Sequence, residues 1–311
     1  MSKKRQYRRK SSKKRSVLYL QKDPTTLAVL DDYEGSDIKK LSQRGDQLLK
    51  YQLEYYTVLA NQRVQTFDKL RNSLSTHTKR YFEFKGWQRS ITYQWATRPL
   101  SSRGSLIDPG GRFNIGAIDP NRFPIFPALY IACDKETALQ EHLGQAINST
   151  GSLDPYELAL SNKKSIALVS LSGKIENILD LTEKKSLNTF CNLIKDFKIP
   201  SYLQKMAKEL HIQPPMAAQT VEQILSTILT PNWRSQPMQF DLPANSQIFG
   251  QIVFAAGIEG ILYPSKMNER LCLVIFPKNF QNSSSYIKLD DPAPVEVSIT
   301  TLDSSTWEKC I

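Results

Sequence analysis

Residues 110–141 decide the fold, and they read GGRFNIGAIDPNRFPIFPALYIACDKETALQE. Glycine and proline crowd the first half, which is typical of a loop, and this composition extends back to Pro99. The apolar run Ala128–Cys133 then predicts a short strand. Asp134 follows at once, in the N-cap position of a helix that begins at Lys135. The stretch therefore predicts a loop, a strand and a helix in immediate succession.

The residues on either side of this stretch predict a mixture of helices and strands. Apolar residues at three- and four-residue steps from Asp37 to about Ser75 predict one amphipathic helix docked on the body, or two with a break near Gly45. Aromatic and β-branched residues in 80–107 favour strands. Later patterns predict strands at 165–171, 175–181, Gly260–Tyr263 and Leu271–Phe276, and helices at 183–197, 201–211, 216–229 and Gln247–Ala256. Because strands and helices do not alternate regularly, we expect an α+β fold rather than a doubly wound sheet.

The net charge of this chain belongs to its first residues. The sequence has 41 Lys and Arg against 30 Asp and Glu, a formal net charge of +11. Residues 1–22 hold ten of the basic residues and no acidic one, so the rest is close to neutral. This composition predicts a disordered basic tail. The positive charge of the tail would favour contact with RNA, anionic lipid or an acidic partner. Electrostatics is the only argument for such a contact.

Several common classes of protein lack their signals here. No run approaches the ~18–20 apolar residues that cross a bilayer, and Val17–Leu20 is too short for the apolar part of a secretory signal. The four cysteines form no Cys-x-x-Cys pair and there are only three histidines, so we expect no metal and a reducing, cytoplasmic site of action. The phosphate-loop, dinucleotide-binding, zincin and hydrolase-elbow motifs are absent as well.

Four pieces of sequence, in order along the chain, resemble the RES-domain family, which is named for an arginine, a glutamate and a serine. They are the Gly-Gly-Arg-aromatic-Asn loop at 110–114, the Leu-Tyr-x-Ala strand at 129–132, the Thr-Ala-Leu-x-Glu helix start at 137–141, and the turn from Gly257 to Ser265 before an apolar strand. The resemblance covers roughly residues 91–277. It implies an ADP-ribosyltransferase-like core with a mixed sheet, and a toxin-like bacterial enzyme that consumes NAD by cleaving the bond between nicotinamide and ribose.

The resemblance also implies roles for individual residues. Arg112 and an earlier arginine would bind the pyrophosphate of NAD, since a guanidinium recognises two phosphate oxygens at once. Arg98 suits the earlier position best, and Arg103 is its rival. Tyr130 would offer an aromatic face to a ring of NAD. Glu141 would stabilise the cationic ribose, hold a ribose hydroxyl or activate the acceptor.

Further residues follow from the same resemblance. Ser265 would donate a hydrogen bond to the phosphates or the ribose rather than act as a nucleophile. Asn114 joins the NAD-binding residues, with Trp233 and Arg234 behind them. Helix geometry places His142 one residue beyond Glu141, so its side chain is expected to point away from Glu141, and no catalytic role is assigned to it. By residue type alone each assignment also has an ordinary structural explanation, such as a braced glycine loop, a core tyrosine, a solvated glutamate or a turn serine.

The predicted organisation has three parts: a disordered basic tail and connector at 1–36, a helical extension at 37–80, and a RES-like catalytic domain at 81–311 with a helical insertion at about 183–246. NAD is the expected substrate, with no cofactor required. A separate antitoxin or immunity protein is the partner that the resemblance implies, and the enzyme would act in the cytoplasm of its own cell or of a cell that receives it. Three alternatives stay open: an NAD phosphorylase, in which phosphate rather than water is the acceptor, a protein ADP-ribosyltransferase with the same site, and a non-catalytic protein that binds nucleic acid or a partner.

Overall fold

The computed structural model describes residues 35–143 and 165–311. Within these ranges the helices are α1 (Gly35–Ser75), α2 (Lys135–Leu143), α3 (Asn188–Lys195), α4 (Ser201–Glu209), α5 (Val221–Ile228), α6 (Ser235–Phe240) and α7 (Asn245–Ala255). The strands are β1 (Lys79–Thr92), β2 (Gly110–Gly111), β3 (Asn114–Ile115), β4 (Leu129–Ala132), β5 (Ile166–Asp180), β6 (Gly260–Pro264), β7 (Leu271–Ile275), β8 (Tyr286–Leu289) and β9 (Thr301–Leu302). The predicted basic tail lies outside the described residues.

Seven strands form one mixed sheet in the order β1-β4-β7-β6-β5-β8-β9. β1 also pairs with β5, so the pairing passes from β1 through β4, β7, β6 and β5 and returns to β1. β5 and β6 are parallel, and the other pairs in this sheet are antiparallel. The short strands β2 and β3 form a separate hairpin in the glycine loop. The prediction of an α+β fold with a mixed sheet is therefore confirmed.

The two faces of the sheet are covered by different parts of the chain. One face packs against helices, and Leu70 of α1 and Phe249 of α7 belong to its buried cluster. The other face packs against the last part of the chain, which contributes Phe280 and Cys310. β4 contributes side chains to both clusters, because successive side chains of a strand point to opposite faces of the sheet. Tyr130 of β4 comes out on the helix-covered face.

The helix α1 runs through 41 residues without a break at Gly45. Its later turns bury Leu70 and Leu74 completely, and Tyr51 packs against α4. This docking on the body is the arrangement that the amphipathic pattern predicted. The first turns expose apolar side chains, with Ile38 61% and Leu41 53% exposed.

Two predicted strand boundaries were wrong. The strands expected at 165–171 and 175–181 are a single strand, because Gly173 lies inside β5 in close contact with the backbone of β8 and does not form a turn. The strand pattern expected across 80–107 stops at Thr92, and 3₁₀ turns follow at Tyr93–Trp95 and Arg103–Leu106.

The predicted division at residue 80 between an extension and a catalytic domain stays a prediction. In the segment expected as a helical insertion, the structure has α3, α4, α5 and α6. None of the helices in the described part of the chain is both long and apolar enough to cross a membrane.

Candidate active site

A cavity of about 290 Å³ lies on the helix-covered face of the sheet. Its walls come from the second half of β1, from β4, from α2, from the glycine loop and from the segment that precedes α6. The polar side chains in its lining belong to Gln88, Arg89, Ser90, Thr92, Trp95, Ser105, Arg112, Tyr130, Glu141, His142, Trp233, Arg234, Tyr263 and Cys272. Three residues expected from the sequence, Arg112, Tyr130 and Glu141, thus meet in one cavity.

Asn114 holds the glycine loop in shape. Its side chain is completely buried, and its Oδ1 accepts hydrogen bonds from the Gly111 amide and the Tyr130 hydroxyl, both at 2.9 Å. Its Nδ2 donates to the carbonyls of Ser105 (2.7 Å) and Phe126 (3.1 Å). An amide side chain has two donor hydrogens and two acceptor lone pairs, so its capacity is used. Asn114 therefore positions the loop and Tyr130, and its expected contact with NAD stays a prediction.

Tyr130 presents its ring, rather than its hydroxyl, to the cavity. The hydroxyl donates to Asn114 and accepts from the Phe113 amide at 3.0 Å. Burial raises the pKa of Tyr130, so the phenol stays neutral at physiological pH. The ring lies so close to Gly111 that a Cβ there would overlap it, which explains the need for glycine at this position. The aromatic face is what remains to meet a ligand.

Glu141 reaches the cavity from the end of a capped helix. Asp134 accepts a hydrogen bond from the Thr137 amide at 2.9 Å, which confirms the predicted N-cap of α2. Two turns on, Glu141 Oε1 accepts a hydrogen bond from the Ser265 hydroxyl at 2.6 Å. Ser265 is completely buried and also accepts from the Met267 amide at 3.1 Å. Its hydroxyl is directed at the Glu141 carboxylate, so in this structure Ser265 positions Glu141. The expected hydrogen bond from Ser265 to the phosphates or the ribose stays a prediction.

Arg112 lies at the base of the cavity with unused hydrogen-bonding capacity. The residue is only 4% exposed, and its Nη1 donates to the Thr230 carbonyl at 2.7 Å. Its Nε is buried without a hydrogen-bond partner. A buried guanidinium that is held by one neutral carbonyl is suited to receive an anion.

The structure does not bring Arg98 or Arg103 into this cavity. Arg98 is exposed and borders a separate cleft beside the end of the chain. Arg103 is also exposed, and its Nε donates to the Ile311 carbonyl at 2.9 Å. The turns that carry them contribute Trp95, Gly104 and Ser105 to the cavity, but neither arginine is among its lining residues. Their positions therefore do not support the assignment of either residue as the earlier arginine of the site.

Arg89 of β1 lines the cavity instead, and sequence reasoning missed it. Its Nη2 donates to the Ser101 carbonyl at 2.7 Å and its Nη1 to the Tyr130 carbonyl at 3.5 Å, and its Nε has no partner among the described residues. Burial lowers the pKa of Arg89 to about 10, so the guanidinium is still charged at neutral pH. The strand pattern gave no usable signal, because Trp87, two residues before Arg89, packs in the cluster on the opposite face of the sheet. The cavity that Arg89 borders became evident only from the three-dimensional structure.

His142 also lines the cavity. Ala138 lies one turn before both Glu141 and His142 on α2, and all three border the same space. The Nδ1 of His142 lies 3.3 Å from the Ser90 carbonyl, which assigns the proton to that nitrogen. Burial lowers the pKa of His142, so the ring is neutral at physiological pH.

Trp233 and Arg234 form part of the wall rather than a layer behind it. Trp233 is 4% exposed, and the Cζ of Arg234 lies 4.6 Å from the centre of its ring, a cation–π contact. Arg234 itself is exposed. Partial burial of its guanidinium, and then the charge of Arg112, lower the pKa of Arg234.

The cavity has an excess of positive charge. Arg89, Arg112 and Arg234 line it with the single carboxylate of Glu141. In the described residues none of these arginines forms an ion pair with an acidic side chain. The same part of the chain contains no cluster of three or more His, Cys, Asp or Glu side chains that could hold a metal. The electrostatics favour an anionic ligand.

The chain is an α+β protein with a cavity in which the fixed carboxylate of Glu141 faces several arginines. The chain belongs to the RES-domain family, since the model of the RES domain matches residues 87–296. A search of curated proteins finds no match. Among solved structures, the crystal structure of the M. tuberculosis MbcT-MbcA toxin–antitoxin complex is similar, with 13% sequence identity over 78% of this chain and 96% of that chain and a TM-score of 0.41.

Proposed function

We propose that this protein cleaves the N-glycosidic bond between nicotinamide and ribose in NAD. Both electrons of the bond leave with the ring nitrogen, so the positively charged pyridinium of NAD departs as neutral nicotinamide. The ribose carbon becomes cationic, and water then supplies a hydroxyl group and releases a proton. The products are nicotinamide and ADP-ribose.

The position of Glu141 is the observation that carries this proposal. The cationic ribose resembles the oxocarbenium ion of glycoside hydrolysis, which a nearby carboxylate stabilises. Glu141 offers such a carboxylate inside a cavity, and the hydrogen bond from Ser265 leaves one of its oxygens free to face a ligand. A carboxylate that is fixed before the reaction needs no reorganisation when positive charge develops. Nicotinamide leaves as a neutral base, so departure does not require a general acid.

The arginines supply the second part of the argument. NAD carries two negative charges on its pyrophosphate, and guanidinium groups bind phosphate oxygens in pairs. Arg112 and Arg89 both have a buried Nε without a partner, and each spends other N–H groups only on backbone carbonyls. An anion in the cavity would supply the negatively charged partner that neither arginine has in the described residues.

The wider biological setting belongs to the same proposal. By the resemblance described for the sequence, the core would have an ADP-ribosyltransferase-like fold, and the enzyme would be a toxin that depletes NAD. A separate antitoxin or immunity protein would then control it. The reaction would take place in the cytoplasm, where NAD is available, and no metal or other cofactor would be required.

The direct test is release of nicotinamide from NAD by the purified full-length protein. We expect Glu141→Gln to lower kcat by roughly 10²–10³-fold, the usual effect of losing one group that stabilises transition-state charge. Glu136→Gln is the matched control, because Glu136 lies on the same helix but is exposed and does not line the cavity. Circular dichroism would establish that both variants are folded.

Two outcomes would contradict the proposal. Release of nicotinamide that is equal in the wild type and in Glu141→Gln would remove Glu141 from the chemistry. A folded wild-type protein that releases no nicotinamide, alone or with cell lysate, would support the alternative of a non-catalytic binding protein. Release only in the presence of lysate would indicate a protein ADP-ribosyltransferase, in which an acceptor side chain replaces water.

A further inference from the structure

The segment between α5 and α6 reaches the cavity from outside the sheet. It contributes the Thr230 carbonyl that holds Arg112, and then the adjacent side chains of Trp233 and Arg234. Trp233 is nearly completely buried, whereas Arg234 is exposed and lies across the tryptophan ring. The tryptophan therefore anchors the segment, and the arginine is the part that can change its contacts.

The electrostatic surroundings of Arg234 are unfavourable in the absence of a ligand. Two charges of the cavity act on it, Arg112, which repels it, and Glu141, which attracts it. Glu141 already accepts a hydrogen bond from Ser265, and no ion pair is present between Glu141 and Arg234. An anion placed between the two guanidinium groups would turn their mutual repulsion into two attractions.

We propose that Arg234 is a substrate-binding residue that closes on the diphosphate of the dinucleotide from the side opposite the sheet. The inference rests on the proposed function, since the diphosphate is that of NAD. Three guanidinium groups against one carboxylate leave a surplus of two positive charges among these four side chains, which matches the two negative charges of a diphosphate. Arg89 and Arg112 are held by backbone carbonyls, so Arg234 is the one of the three that is free to adjust to the ligand.

The contact with the Trp233 ring orients the guanidinium group of Arg234. A planar guanidinium stacks on an aromatic face while its N–H groups remain available at the edges for phosphate oxygens. Lysine keeps the charge but does not stack in this way. Substitution of Arg234 by lysine should therefore separate the effect of its charge on binding from the effect of its planar shape.

Binding of ADP-ribose and of inorganic pyrophosphate to the full-length protein tests the inference. We expect Arg234→Ala to weaken binding of both ligands about tenfold, the size of one partly exposed charge-assisted hydrogen bond. Arg234→Lys should fall between the wild type and the alanine variant. In the reaction with NAD, Arg234→Ala should raise KM by a similar factor with little change in kcat, because the residue binds a part of the substrate far from the reacting bond.

Arg122→Ala is the matched control. Arg122 also lies over an aromatic ring, with its Cζ 5.1 Å from the centre of the Phe123 ring, but it does not line the cavity. This variant should bind both ligands as the wild type does. Because Arg234 is exposed, its replacement should leave the thermal unfolding curve unchanged, which excludes misfolding as the cause of weaker binding.

The outcomes separate the inference from the proposed function. Equal affinity of the wild type and Arg234→Ala for pyrophosphate and ADP-ribose would overturn the role of Arg234, whatever the rate of nicotinamide release. A wild type that binds neither ligand would overturn it as well. Weaker binding in Arg234→Ala by a protein that releases no nicotinamide would support the diphosphate site and contradict the proposed reaction.

Discussion

The hydroxyl of Ser265 lies 2.6 Å from Oε1 of Glu141, although the two residues are 124 positions apart in the sequence. The turn after β6 and the last turn of α2 are thereby joined at the cavity. Because Ser265 is completely buried, its hydroxyl has no access to solvent and its hydrogen bond to the carboxylate is not exchanged for water. The orientation of Glu141 thus depends on a residue from the far end of the family's motif.

Replacement of Ser265 by alanine should lower kcat about tenfold or more with a small change in KM, because a carboxylate that is less well oriented stabilises charge less well. The free energy of unfolding should fall by about 1 kcal/mol, the net value of one hydrogen bond. The measurements are steady-state release of nicotinamide and urea denaturation.

Ser246→Ala is the matched control for this prediction. Ser246 is 1% exposed, and its hydroxyl is buried without a hydrogen-bond partner. Its removal should leave kcat unchanged and should not destabilise the protein. An equal loss of kcat in the two variants would show that general packing, and not the contact with Glu141, is responsible.

A methyl group at position 111 should destabilise the loop and the site together. A Cβ on Gly111 would overlap the ring of Tyr130, which is fixed by its hydrogen bonds to Asn114 and Phe113. We expect Gly111→Ala to lower the free energy of unfolding by about 1–3 kcal/mol, as overpacking does, and to weaken binding of ADP-ribose. Chemical denaturation and calorimetry would measure the two effects.

A glycine in α1 provides a control for which the opposite effect on stability is expected. Gly45 lies inside α1, and a Cβ there would have no neighbour within 4 Å. Gly45→Ala should therefore stabilise the protein by about 0.5–1 kcal/mol through helix propensity alone. Destabilisation by both substitutions would contradict the account given for Gly111.

His142 predicts a pH dependence of stability. Burial lowers the pKa of His142 in the folded protein below its value in the unfolded chain, which is about 6.5. The unfolded state thus binds the proton more readily, and the stabilising contribution is present above pH 6.5 and lost as the pH falls through the lowered pKa. The free energy of unfolding should decrease from pH 7 to pH 5 in the wild type and decrease less in His142→Gln.

Local signals in the sequence predicted the elements that depend on neighbouring residues. The apolar run Ala128–Cys133 and the cap at Asp134 gave β4 and α2 because strand pattern and helix capping act over a few residues. The same apolar run contains Tyr130, which lines the cavity. The family motif located Arg112 and Glu141, which the structure brings to one cavity.

Contacts between distant segments could not be predicted in this way. The sequence of the glycine loop contained a motif, but it did not reveal the four hydrogen bonds of Asn114. These bonds join Asn114 to residues that come before it and after it in the chain. Arg98 suited the position of the earlier arginine in the family pattern, whereas in the structure Arg89 of β1 lines the cavity. Sequence periodicity does not specify where a turn directs the chain, so the choice between these arginines required the three-dimensional structure.

The carbonyl of residue 230 is a main-chain group, and every amino acid possesses one. Arg112 is therefore held by an acceptor that does not depend on the identity of the side chain at that position. Relatives with the same arginine can carry different residues at position 230 and still keep this contact. An interaction that fixes a central residue of the site would in that case leave no trace in a comparison of sequences.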